Sequence, residues 1–261
     1  MFSLAPVGPA QAHEFWIEPL AWQLAPGDDL AAHLRVGQRF DGPASSFNPN
    51  RFRRFDLVVG AETSAAPGTI GDRPALSTPA KKGRLHVIVH VTTDSQLTYS
   101  EWEKFVTFVE HKDLDDTLAE HSRRGLPDSG FRERFSRYAK SLVAVGDGAG
   151  LDSEQGLLTE LVAEANPYTD PLEDGLPVRL LYRGAPRVDA QVEVFERAPD
   201  GTVSITLERT DEEGRAIVPV RPGHDYMLDA VLMLPLDGNP DNQEPVWESL
   251  WANLTFAVPA R

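Results

Sequence analysis

Between positions 177 and 258 the chain alternates apolar and polar residues with a period of two, and turn residues cut the alternation into short runs. The runs cover 177–183, 191–197, 203–209, 216–220, 226–234 and 251–258. Gly184-Ala185-Pro186, Pro199-Asp200-Gly201, Glu213-Gly214 and Pro222-Gly223 separate them. A period of two puts alternate side chains on opposite faces of a strand, and tight turns at this spacing leave room only for antiparallel neighbours. Residues 172–261 are therefore expected to form a β-sandwich domain of immunoglobulin-like or transthyretin-like type.

Upstream the period changes twice. Residues 13–93 read as strands, clearest at 30–36, 55–59 and 85–91, with Ala25-Pro26-Gly27-Asp28 and Ala66-Pro67-Gly68 breaking them. In the third run Leu85, Val87, Val89 and Val91 share one face, and His86, Ile88 and His90 share the other. On a strand His86 and His90 stand about 13 Å apart, too far to grip one ion together. From about Ser100 to Lys140 the period becomes helical. Trp102, Phe105, Val106 and Val109 share a face behind a Ser100/Glu103 capping box, and a second helix is predicted from Asp113 to Gly125. A third is predicted from Ser129 or Gly130 to Lys140, aligning Phe131, Phe135 and Tyr138. Strands resume at 141–145 and 156–164, and Asn166-Pro167-Tyr168-Thr169-Asp170-Pro171 reads as a stiff linker. The expectation is a mainly β protein with two β-sandwich-like domains, 13–165 and 172–261, and a helical insertion at about 100–140 in the first.

Composition limits the partners. Forty acidic against twenty-five basic residues give a net charge of −15, which repels a phosphate backbone, so nucleic acid is not an expected ligand. There is no cysteine, and hence no disulfide, thiolate ligand or thiol nucleophile. No run approaches the ~18 apolar residues of a membrane-spanning helix. The G-x-S-x-G, H-E-x-x-H, P-loop and dinucleotide-binding patterns are absent, and Val145-Gly146-Asp147-Gly148-Ala149-Gly150 has the wrong glycine spacing for the last, so no enzymatic role is expected.

The N-terminus carries the chemistry. Ala10-Gln11-Ala12 fits the small-residue site of a signal peptidase, and His13 follows it. Positions 1–12 lack the basic and apolar regions of a full leader, so they read either as a signal remnant whose translation starts upstream of Met1 or as a disordered N-terminus in which the small-residue match is chance. Cleavage before His13 would free an α-amine beside its imidazole, and two such nitrogens chelate transition metals such as Ni²⁺, Cu²⁺ or Zn²⁺. Further ligands must come from distant sequence; His90 and then His121 are the candidates. Glu14 and Glu18 flank Trp16 on one face of an extended strand, as carboxylates near the chelate or as solvent-facing edge charges. Tyr138 is expected packed with its hydroxyl bonded, and Lys140 salt-bridged at a helix C-terminus.

The segments His13-Glu14-Phe15-Trp16-Ile17-Glu18-Pro19, Phe131 through Val143, Asn166-Pro167-Tyr168 and Val246 through Phe256 together resemble the DUF4198 family. The resemblance implies an exported bacterial protein, periplasmic or secreted. Some relatives accompany nickel or cobalt uptake as the extracytoplasmic partner of a membrane permease. The resemblance thus favours an extracytoplasmic transition-metal-binding protein with Ni²⁺ or Co²⁺ as its ion. The alternative is a structural or interaction module that presents β-sandwich surfaces to a permease, an outer-membrane receptor or a glycan and takes no ion.

Overall fold

The computed structural model describes residues 13–80, 82–114 and 116–260; the proposed signal remnant lies outside them. The first part of the chain forms β1 (Glu14–Pro19), β2 (Gln23–Leu24), β3 (Asp29–Gly37), β4 (Ala44–Ser45), β5 (Phe52–Val59), β6 (Glu62–Ala65), β7 (Leu76–Pro79), β8 (Leu85–Thr92) and β9 (Ser95–Tyr99). Helices α1 (Trp102–His111) and α2 (Thr117–Arg123) follow, then β10 (Phe131–Val145) and β11 (Thr159–Ala163). The last part forms β12 (Leu176–Tyr182), β13 (Ala185–Pro186), β14 (Gln191–Arg197), β15 (Val203–Arg209), β16 (Arg215–Val218), β17 (Asp225–Pro235) and β18 (Pro245–Ala257). Among the described residues the fold is mainly β, as the alternation requires, with two short α-helices. No helix among the described residues is long and apolar enough to cross a membrane.

A ten-stranded sheet forms the middle layer, in the order β15-β14-β17-β18-β10-β8-β5-β6, with β2 and β9 also paired to β10. Its β10–β18 pairing is parallel and crosses the division expected at 166–171, so both parts of the chain share one sheet. One face packs against the small sheet of β11, β12, β13 and β16 to make a sandwich. Leu85, Val87, Val89 and Val91 point into that core, on the face their alternation predicts. The other face has two covers. The sheet of β1, β3, β4 and β7 lies over Ile88, Ala139, Val143 and Val145, and the two helices lie over Phe131, Trp247 and Trp251.

The third predicted helix is a strand, so the helical insertion ends at Arg123 and not near Lys140. Phe131, Phe135 and Tyr138 have helical spacing, yet Phe131 faces the helices while Tyr138 enters the sandwich core on the opposite side. The strand is buried on both faces over most of its length, and a strand with no solvent side has no polar alternation to betray it. Lys140 accordingly sits in a strand, not at a helix end. It is 1% exposed and lies 2.8 Å from Asp152 and 3.0 Å from Glu160.

Candidate functional site

β1 is buried at all six positions, so Glu14 and Glu18 are not edge charges. Phe15 and Ile17 enter one apolar core; Trp16 enters another with Phe40, Phe195 and Met227. The side of β1 that bears Glu14, Trp16 and Glu18 therefore faces β14 and β17, where each carboxylate meets a cation. Glu18 accepts from Arg197 at 2.7 Å and also pairs with Arg35. Glu14 Oε1 accepts from Lys112 Nζ at 3.1 Å.

Lys112 closes α1 and reaches down to the central sheet. Its ammonium donates to Glu14, to Asp229 Oδ2 at 3.2 Å and to Glu193, and it lies 4.9 Å from the Trp251 ring centre. Strand pairing sets Glu193 opposite Asp229 and Asp229 opposite Asn253, which puts their side chains on one face. Glu14, Glu193 and Asp229 each offer an oxygen within 4.8 Å of the others, and all three residues are buried. Three carboxylates thus crowd around one ammonium. Burial opposes charge on Lys112, but Asp229, Glu193 and Glu14 outweigh it and hold its pKa above the ordinary value. Burial pushes Asp229 and Glu193 up against the pull of Lys112, with Glu14 adding to both shifts. Glu14 Oε2, Asp229 Oδ1 and both side-chain heteroatoms of Asn253 are buried with no protein partner. A cleft of about 240 Å³ lined by Lys112, Gln191 and Val231 opens beside the cluster, and the half-exposed His111 ring lies 2.6 Å from Glu193 Oε1.

Arg137 borders the cluster on β10. Its Nη2 donates to the His13 carbonyl at 2.8 Å, while burial pulls its pKa down to about 10 against the charges of Asp229, Glu14 and Glu133. Glu133 is fully buried; it accepts from Tyr99 at 2.6 Å and from the Ser249 hydroxyl, which in turn accepts from Trp251 Nε1 at 2.9 Å. Burial raises Glu133 to about 7 in spite of those bonds.

The three histidines singled out from sequence do not converge. His13 accepts from Arg137 through its backbone carbonyl, and its ring, with Nδ1 buried and unpartnered, is not among the side chains that converge with Glu14, Glu193 and Asp229. His90 is enclosed by Phe15, Phe52 and Phe55 at centroid distances of 4.9, 5.4 and 5.1 Å, and burial lowers its pKa to about 3. His121 packs under α1, where Nδ1 accepts from Trp247 Nε1 at 3.0 Å and Nε2 faces Pro127 O at 3.2 Å. Both ring nitrogens are thereby engaged. Trp247 requires Nδ1 as acceptor, which leaves the proton on Nε2 for the carbonyl. Lys112, Glu193 and Asp229 were missed. A signal existed for two of them: Glu193 stands among Val192, Val194 and Phe195, and Asp229 inside the run from Tyr226 to Leu234. A charge amid strand residues that are buried needs a partner.

The donor set of the cluster suits a divalent cation. Its donors are carboxylate oxygens, of which Glu14 Oε2 and Asp229 Oδ1 have no protein partner, while the Lys112 ammonium already bonds all three residues. The family model described as "Domain of unknown function (DUF4198)" matches residues 10–233. No functionally curated protein matches the sequence. Among solved structures, one described as "Crystal structure of tetra-tandem repeat in extending region of large adhesion protein" aligns at 11% identity with a TM-score of 0.21. That alignment covers 93% of this chain and 48% of the other, a likeness too slight to bear on function.

Proposed function

This chain belongs to the DUF4198 family, and from the site it carries we propose that it binds a divalent transition-metal ion outside the cytoplasm, as an accessory to nickel or cobalt uptake. One observation supports the reading above the rest: Glu14, Glu193 and Asp229 converge to within 4.8 Å in a buried setting, with acceptor oxygens left over, and Glu14 follows His13 in the chain. In a chain that starts at His13, the α-amine and Nδ1 form a chelate one residue from Glu14. The ion would be held by that chelate and by the carboxylates that Lys112 now neutralises. His90 and His121 take no part in this ligand set.

A second reading, an interaction module without an ion, is favoured by Lys112 itself, whose ammonium already bonds all three carboxylates. The two readings separate in protein recovered from its native host. The metal reading expects His13 as the first residue, recovery from the extracytoplasmic fraction and about one equivalent of nickel or cobalt by elemental analysis. Metal-free protein that begins elsewhere and stays in the cytosol would overturn it.

A further inference from the structure

A second cavity, of about 370 Å³, opens between the β1–β3 sheet and the ends of β5 and β8, with Arg137 in its wall. Its volume is at the lower end of the range for small-molecule sites. The walls combine two chemistries. Phe15 and Phe52 line it together with His90, whose ring they contact, and they supply flat apolar surface. Arg137 lines it as well, with Nε buried and unpartnered after Nη2 is spent on the His13 carbonyl. His90 Nδ1 is a second buried polar atom with no partner.

The charge of this cavity runs against that of the protein. Arg51 and Arg137 both line it, and its one acidic residue, Asp94, is paired with Arg53 at 3.2 Å. Asp229, Glu14 and Glu133 act on Arg137 as well, so the local preference for an anion in this chain of net charge −15 rests on Arg51 together with the unpartnered Nε of Arg137. The guanidinium of Arg137 matches a carboxylate in shape and hydrogen-bond direction. The aromatic walls favour a flat apolar body, and neutral His90 offers one ring donor or acceptor. We propose that this cavity binds a small monocarboxylate with a flat apolar body. None of its lining residues is one of the three carboxylates, although Arg137 also bonds the carbonyl of His13.

The test is an NMR titration of the whole chain, isotope-labelled at histidine and kept in chelator so that no metal contributes. Benzoate is the probe; inorganic phosphate and benzylamine are the comparators. Benzoate is expected to shift the His90 ring signals saturably, with a dissociation constant of about 1 mM or tighter. Arg137→Lys is expected to weaken it about tenfold. Because Arg137 is buried, that variant must keep its fold by circular dichroism. The exposed Arg51→Ala gives a second measure, expected to weaken benzoate about threefold. Absence of saturation, benzylamine binding as well as benzoate, phosphate binding as well as benzoate, or full affinity in Arg51→Ala would each overturn the proposal.

Discussion

Glu14 Oε1 lies 3.1 Å from Lys112 Nζ, although 98 residues separate the two in the chain. The contact forms only when β1 has docked on the central sheet and α1 has packed beside it, because Lys112 lies at the end of that helix. The same ammonium bonds Glu193 on β14 and Asp229 on β17. Four elements from both parts of the chain therefore meet at one nitrogen, which makes the cluster a joint of the fold as well as a candidate site.

Removing that nitrogen exposes the imbalance. Lys112→Met leaves three buried carboxylates without their cation, and breaking a buried ion pair of this kind costs about 3–5 kcal/mol. Urea denaturation is expected to report a loss of that size, and millimolar-range Ni²⁺ or Co²⁺ is expected to restore part of it by binding the vacated oxygens. A variant as stable as the parent would show that the cluster is not charge-limited.

Glu133 sets a dependence on pH. Its folded pKa, about 7, lies above the ordinary 4.5, so the folded state binds the proton more tightly than the unfolded chain does. The stability it contributes is present below about pH 4.5 and is lost as pH rises through 7, in total about 3 kcal/mol. Glu133→Gln has no charge to bury and should not share this loss. Unfolding free energies of parent and variant are expected to move apart in the variant's favour between pH 4.5 and pH 7.5, and parallel curves would contradict the burial argument.

His121 provides a control for the metal account. His121→Ala removes the acceptor for Trp247 and a ring packed at 4.6 Å from Phe131 and 4.9 Å from Trp102. The expected cost is about 3 kcal/mol of stability. Calorimetric affinity for Ni²⁺ should be unchanged in the folded variant, and a loss of binding there would return His121 to the ligand set.

Legibility followed solvent exposure. β14, β15 and β17 were readable because turn residues and alternation agree, and β8 even disclosed which face each residue takes. Part of β10 carries a misleading helical spacing because both of its faces are covered, which leaves no polar side to mark the period. At the site, the chain's local chemistry singles out His13 and offers Glu14 as either a nearby carboxylate or an edge charge. It does not single out Asp229 or Lys112, since their meaning depends on a strand pairing and a helix end brought together across 117 residues. His90 and His121 drew notice as potential ligands, although one is caged by phenylalanines and the other bonded through both nitrogens.

The most direct test of the metal account is a calorimetric titration with Ni²⁺ of protein beginning at His13 and of protein beginning at Met1, both at about pH 7.5. In the longer chain a peptide bond consumes the α-amine of His13 and the chelate is lost. The His13 form is expected to bind at least about tenfold more tightly, equivalent to about 1.4 kcal/mol, and to lose that advantage in Glu193→Gln/Asp229→Asn. Equal affinity in the two forms would remove the N-terminal chelate, and no binding in either would leave the cluster as a structural joint held by Lys112.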